Sequence, residues 1–170
     1  MLDSFRENRR VEHSATTIAP RDLADAALRE LWAHWEERRP TDGIPARSQV
    51  DPLRFPRLLP RVFIMKVEES PTSFVYSLVG EANIEAHGAN FTGLDVRDLN
   101  RTWPGYGSSL HDFYTFVAGR KKAVAVRGDM RFVDRGFRHF ESVYLPLAGK
   151  EGETTQILGA AAYDAGAGMM

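Results

Sequence analysis

The side chains in this sequence that could do chemistry are few and scattered. Its five histidines, His13, His34, His87, His111 and His139, are the natural places to look for a metal or a haem iron, since no cysteine is present to supply thiolate. None is followed by a second histidine at i+4 and no glutamate-histidine zinc pattern occurs. His111-Asp112 has the form of a metal-binding dipeptide, but the flanking histidines and aspartate of such phosphohydrolase sites are missing, so the pair reads as part of a helix start. Glu141 shares strand parity with Val143, Leu145 and Leu147, which places a carboxylate in line with an apolar face. An ionised group is costly there unless it is paired, and Arg127 and Arg131 are the candidate partners. Two readings stay open for Glu141: a polar anchor for a ligand, or one half of a cross-strand ion pair at the sheet rim. Tyr76, Tyr114 and Tyr144 offer ring surface and a hydroxyl to a pocket, or are simply core. Arg47, Arg54, Arg57 and Arg61 concentrate positive charge in a proline-punctuated segment, either as a solvated rim or as an attractor of phosphate, an acidic partner or nucleic acid.

Motifs for hydrolysis or nucleotide chemistry are missing. The sequence has no Gly-x-x-x-x-Gly-Lys-Ser/Thr loop, no Gly-x-Ser-x-Gly elbow and no dinucleotide fingerprint, so no catalysis is expected. A formal charge of -1 argues against a dedicated nucleic-acid binder. The absence of cysteine excludes disulfides and thiol catalysis and suits a reducing compartment. No apolar run approaches the roughly 18 residues of a membrane span, and the N-terminus lacks the apolar core of a signal peptide, so a cytoplasmic protein is expected.

The elements that must position these residues follow from periodicity. Residues 1–19 are polar and read as a flexible N-terminal arm. An amphipathic helix within 20–40 carries Leu28, Leu31, Trp32 and Trp35 on one face and ends before Pro40. Short turns follow around Pro52, Pro56 and Pro60. Alternation from Phe63 to Glu68 and over 74–79 predicts a hairpin. Between Gly80 and Gly93 lies a short helix, 81–87, closed by Gly88 in the left-handed conformation. Leu110, Phe113, Tyr114 and Val117 predict a longer helix ending at Gly119. Runs 123–133, 139–147 and 155–163 predict an antiparallel meander, with a register that sets Arg131 opposite Glu141 and Gly128 opposite Tyr144. Residues 165–170 are a C-terminal tail.

In this order the chain resembles the PAS domain family, and more narrowly its subfamily of small standalone proteins in alphaproteobacteria. The resemblance rests on Val50-Asp51-Pro52 with Leu58-Leu59-Pro60-Arg61-Val62-Phe63, on Tyr76-Ser77-Leu78-Val79-Gly80, on Thr92-Gly93, and on Glu141-Ser142-Val143-Tyr144-Leu145-Pro146-Leu147 with Gly159. It implies an α+β fold over 41–164: a PAS-like five-stranded antiparallel sheet with short central helices and an N-terminal flanking helix, and a pocket between the sheet and the helical middle. Relatives use that pocket for haem, flavins, small acids or nothing.

The resemblance also implies a sensor or signalling module that binds a small molecule or a partner protein and, with no effector fused, acts in trans as a homodimer. By element order the ligand-binding set is Tyr76, Leu78, His87, Phe91, Tyr114, Arg127, Glu141 and Tyr144. His87 is the position where a haem iron ligand could stand, although no specific motif names a cofactor. Leu28, Leu31, Trp32 and Trp35 are the candidate dimer interface, with packing on the chain's own sheet as the other reading. Two alternatives remain: a small cone-shaped enzyme of ketosteroid isomerase type, and a structural interaction domain whose core is filled by Phe113, Phe116, Phe132 and Phe140.

Overall fold

Alternation along the strands sorts the large apolar residues into two separate cores, one on each face of a single sheet. The computed structural model describes residues 15–164. Its strands are β1 (Thr16–Ile18), β2 (Val62–Glu68), β3 (Ser73–Val79), β4 (Val124–Met130), β5 (Arg135–Ala148) and β6 (Thr154–Tyr163), and its α-helices are α1 (Ala26–Arg38), α2 (Glu81–His87) and α3 (Tyr106–Arg120). The sheet is antiparallel throughout, in the order β1-β4-β5-β6-β2-β3. The fold is α+β, with two strands before the helical middle and three after it, as the element order predicts.

A sixth strand was not expected. Thr16–Ile18 fall in the stretch that composition assigns to a flexible arm, yet they pair with Arg127, Val126 and Ala125 on the free side of β4. Backbone pairing onto an existing edge supplies the hydrogen bonds that three residues with little apolar surface could not secure alone. The remainder of the arm, 1–14, and the tail, 165–170, lie outside the described residues.

The meander differs from its predicted register by four residues. Arg127, not Arg131, faces Glu141, and Gly128 faces Phe140. The physical cause is that β4 stops at Met130. A 3-10 turn at Arg131–Val133 and a left-handed Asp134 (φ 60°) then take up residues that alternation had counted as strand. The helical middle shows one match and one shift. Gly88 ends α2 at φ 74° and donates its N–H to the Ile84 carbonyl at 2.8 Å, as predicted. Helix α3 runs past Gly119 to Arg120 and closes instead on Lys121 at φ 54°.

Inner-face side chains such as Phe63, Met65, Tyr76, Val126, Tyr144 and Ile157 pack against α2, α3 and the connecting turns. Outer-face side chains such as Ile64, Ala125, Val143, Leu145, Leu147 and Leu158 pack under α1. Helix α1 starts at Asp25, whose carboxylate accepts the Leu28 N–H at 3.0 Å. Its Leu28 and Leu31 are fully enclosed, each burial being worth about 1.5–3 kcal/mol, and Trp35 is 1% exposed with its indole N–H donated to the Pro146 carbonyl at 2.9 Å. No helix of the described residues is long and apolar enough to cross a membrane.

Candidate functional site

Strand parity brings aromatic side chains from distant parts of the chain to one place. Phe63 of β2, Tyr76 of β3, Tyr144 of β5 and Tyr163 of β6 point from the inner face of the sheet towards His87 of α2, and towards Tyr106, Phe113 and Tyr114 of α3. They line a partly open cavity of about 90 Å³. Its walls are ring contacts: Phe113 to Tyr144 at 4.7 Å between centroids, Tyr76 to Phe91 at 4.7 Å, and Phe63 to Tyr144 at 5.8 Å. Room for Phe63 comes from a glycine. Gly159 on β6 is the register partner of both Phe63 and Tyr144, and a Cβ there would lie 2.1 Å from the Phe63 ring.

The polar side chains of the cavity are hydroxyls, one imidazole and the Asn83 amide. Tyr76 and Tyr114 approach hydroxyl to hydroxyl at 3.2 Å. Ser142 donates to the Tyr144 hydroxyl at 2.9 Å, and Tyr163 donates to the Asn83 side-chain oxygen at 2.6 Å. Burial holds the phenols of Tyr76, Tyr114 and Tyr163 well above their ordinary range and pushes Tyr144 up to about 12, so all four keep their protons. The His87 Nδ1 lies 2.8 Å from the Asn83 carbonyl. A carbonyl only accepts, so Nδ1 carries the ring proton and Nε2 is left as an acceptor, 3.4 Å from the Tyr106 hydroxyl. Burial lowers the His87 pKa to about 4, with the Arg135 and Arg138 charges acting in the same direction against the Asn83 hydrogen bond, so the ring is neutral near pH 7.

Five of the eight candidate ligand residues border this cavity: Tyr76, His87, Phe91, Tyr114 and Tyr144. The other three do not. Leu78 was placed inside by its two-residue step from Tyr76, but the β2–β3 register shifts between Ile64 and Met65, leaving Ser77 unmatched. That bulge flips the parity, so Leu78 pairs with outer-face Ile64 and is 44% exposed.

Arg127 and Glu141 lie on the outer face. The Arg127 Nη2 is 2.6 Å from the Glu141 Oε2 and also donates to the Asp22 carbonyl at 2.9 Å. The Glu141 carboxylate, 1% exposed, accepts the Ala24 N–H at 2.9 Å and the Asp25 N–H at 3.0 Å. Glu141 is therefore a buried latch that ties the start of α1 to the middle of the sheet, with no access to the cavity.

Of the candidate dimer residues, Leu28, Leu31 and Trp35 are spent on the chain's own outer core, and only Trp32 is partly exposed. In the arginine cluster, Arg61 pairs with Asp25 at 3.0 Å and Arg47 donates to the Val50 carbonyl at 3.0 Å. His111 lies within α3 with its ring on the edge of Phe74 at 5.3 Å, and no group of three or more potential metal ligands occurs among the described residues.

Residues that sequence reasoning did not single out complete the lining. Ser142 has the same parity as Tyr144 and was legible on that ground, whereas Asn83, Ala15 and Ala161 carried no signal. The filled-core alternative is met halfway, since Phe113 and Phe140 border the cavity without closing it, Phe116 is buried, and the Phe132 side chain lies outside what is described. Haem, which His87 raises, does not fit: ligand pockets for such molecules run from about 300 Å³ upward, and this one is about 90 Å³.

A model of the PAS domain matches residues 23–162. No curated protein matches the chain. Among solved structures it is similar to the PAS domain of BvgS from Bordetella pertussis, at 22% identity and a TM-score of 0.49, over 64% of this chain and 83% of that one. It is also similar to an RNA-binding light-oxygen-voltage receptor, at 14% identity and a TM-score of 0.45, over 72% of this chain and 35% of that one.

Proposed function

We propose that this chain, which belongs to the PAS domain family, is a sensory module whose aromatic cavity holds a small molecule and whose flanking helix α1 reports the occupancy. The observation that carries this reading is the alternation of β5. Ser142 and Tyr144 face the cavity, while Glu141, next to Ser142, holds the Ala24 and Asp25 amides at the start of α1 from the opposite face. A strand cannot shift on one face alone, so a guest that moves Ser142 or Tyr144 also moves the carboxylate beneath the helix. Output then passes in trans to a partner protein or a second copy, through the outward side of α1 where Trp32 is partly exposed.

Ala161 supplies the test. It lines the cavity and is the register partner of Ser142, so Ala161→Leu places a permanent occupant beside β5. Hydrogen exchange at residues 22–28 should change in this variant while the outer-strand amides of β3 stay the same. Unaltered exchange at 22–28 would sink the proposed transmission. Native mass spectrometry with an absorption spectrum of the purified protein, run in parallel, reports any small molecule that the wild-type chain retains.

A further inference from the structure

We infer that the cavity selects a small uncharged molecule presenting a hydrogen-bond acceptor, such as an amide or ketone, and rejects carboxylates; this deepens and rests on the reading of the cavity as the sensory site. Proton accounting among the buried phenols is the first support. Between the Tyr76 and Tyr114 hydroxyls, 3.2 Å apart, one proton fills the gap and the other is left to give. The Tyr144 hydroxyl receives its bond from Ser142 at 2.9 Å, so its own proton is also left to give. The three tyrosines are 4%, 2% and 8% exposed, so these donors serve the interior and not bulk water.

Charge is the second support. Among the described residues lining the cavity there is no Lys, Arg, Asp or Glu, and His87 is neutral near pH 7. Of the cations near the lining, Arg127 is on the far face of the sheet and engaged by Glu141 at 2.6 Å, Arg138 lies over the Tyr163 ring at 5.7 Å from its centroid, and Arg135 sits beside Gly88 at the end of α2; none of them is among the lining residues. A carboxylate entering here sheds its water with no cation among the lining residues to pair with, whereas a neutral carbonyl loses far less and is met by the phenolic protons. Size is the third support. At roughly 30 Å³ per water in the liquid, the cavity of about 90 Å³ has the room of about three waters and so suits a guest of only a few non-hydrogen atoms.

Propionamide and propionate have the same five-atom skeleton and differ in charge, and xenon probes the space without hydrogen bonding. Titrating each into the isotope-labelled protein at pH 7, with amide and methyl NMR shifts at Ala161, Ser142, Tyr144 and Tyr76 as the readout, should show propionamide binding at least tenfold more tightly than propionate. The double variant Ser142→Ala with Tyr144→Phe, which leaves no hydroxyl orphaned, should weaken propionamide about tenfold and leave xenon binding unchanged. Should that variant fold poorly by its melting temperature, the double variant Tyr76→Phe with Tyr114→Phe, which removes the other spare phenolic proton without orphaning a hydroxyl, is read in the same way. Propionate binding as tightly as propionamide, or xenon binding alone, overturns the selectivity while the cavity remains a ligand site. No response to any of the three overturns the sensory reading as well.

Discussion

The hydroxyl of Tyr76 meets the hydroxyl of Tyr114 at 3.2 Å in the interior, joining two residues that are 38 positions apart in the chain. One belongs to the last strand before the helical middle and the other to the long helix that closes it, so the bond spans the cavity's two walls.

Removing either hydroxyl from that pair should cost about 1 kcal/mol. Because Tyr76→Phe and Tyr114→Phe lose the same bond, the double variant should cost clearly less than the sum of the two singles. Urea denaturation of the four proteins measures this, and additive losses would show that the hydroxyls act independently.

The Glu141 latch makes a larger prediction. Glu141→Ala removes the acceptor of two backbone amides and the partner of Arg127; half exposure lets that arginine rehydrate, so the loss should be about 2–3 kcal/mol, at or below the usual range for a broken buried pair. Glu141→Gln keeps an acceptor oxygen and should lose about half as much. The diagnostic reading is local: exchange at residues 22–28 should rise more than at β6. A uniform change, or none, would remove the latch from the account.

Gly159→Ala tests the packing of the cavity wall. The new methyl group meets the Phe63 ring, which is itself held between Tyr76 and Tyr144, so the ring must move. Overpacking of this kind costs about 1–3 kcal/mol. A lower melting temperature with an altered near-ultraviolet circular dichroism spectrum is the expected outcome, and a wild-type spectrum would mean that the ring has room to spare.

Acid should destabilise the protein through His87. Its folded pKa is about 4, lowered chiefly by burial, against 6.5 for the free side chain. Between these values the unfolded chain binds a proton that the folded chain refuses. Stability is therefore fully present above about pH 6.5 and falls as pH drops towards 4, with a slope of at most about 1.4 kcal/mol per pH unit from this group. His34 and His111, also lowered by burial, add in the same sense. His87→Gln should flatten the dependence of melting temperature on pH over this window, and an unchanged profile would assign the effect elsewhere.

The parts of the fold that were legible in the sequence are those governed by long periodic runs. The flanking helix, the hairpin, α2 with its Gly88 cap and the final meander all follow from spacing and turn chemistry, and the order of these elements carried the family. Leu78 was misplaced because a bulge leaves no mark in residue types; Ser77 is an ordinary strand residue until the register of β2 is known. Glu141 illustrates a different limit. Its parity was read correctly, but whether an apolar strand face lies under a ligand or under a helix is decided by where α1 packs, which is a tertiary choice. Likewise Leu28, Leu31 and Trp35 show the same stripe whether the stripe meets a second chain or the chain's own sheet.

The short first strand has a consequence for how the molecule behaves towards its own kind. Thr16–Ile18 cover the outer backbone of Ala125, Val126 and Arg127, and Ala15 beside them lines the cavity. A protease that trimmed the chain to begin near residue 20 would leave a row of unpaired amides and carbonyls on β4, the kind of edge onto which another molecule's strand can add. The same cut would unplug the cavity at that end. Solubility and the closure of the cavity would then be lost together, although the two cores and their helices stayed in place.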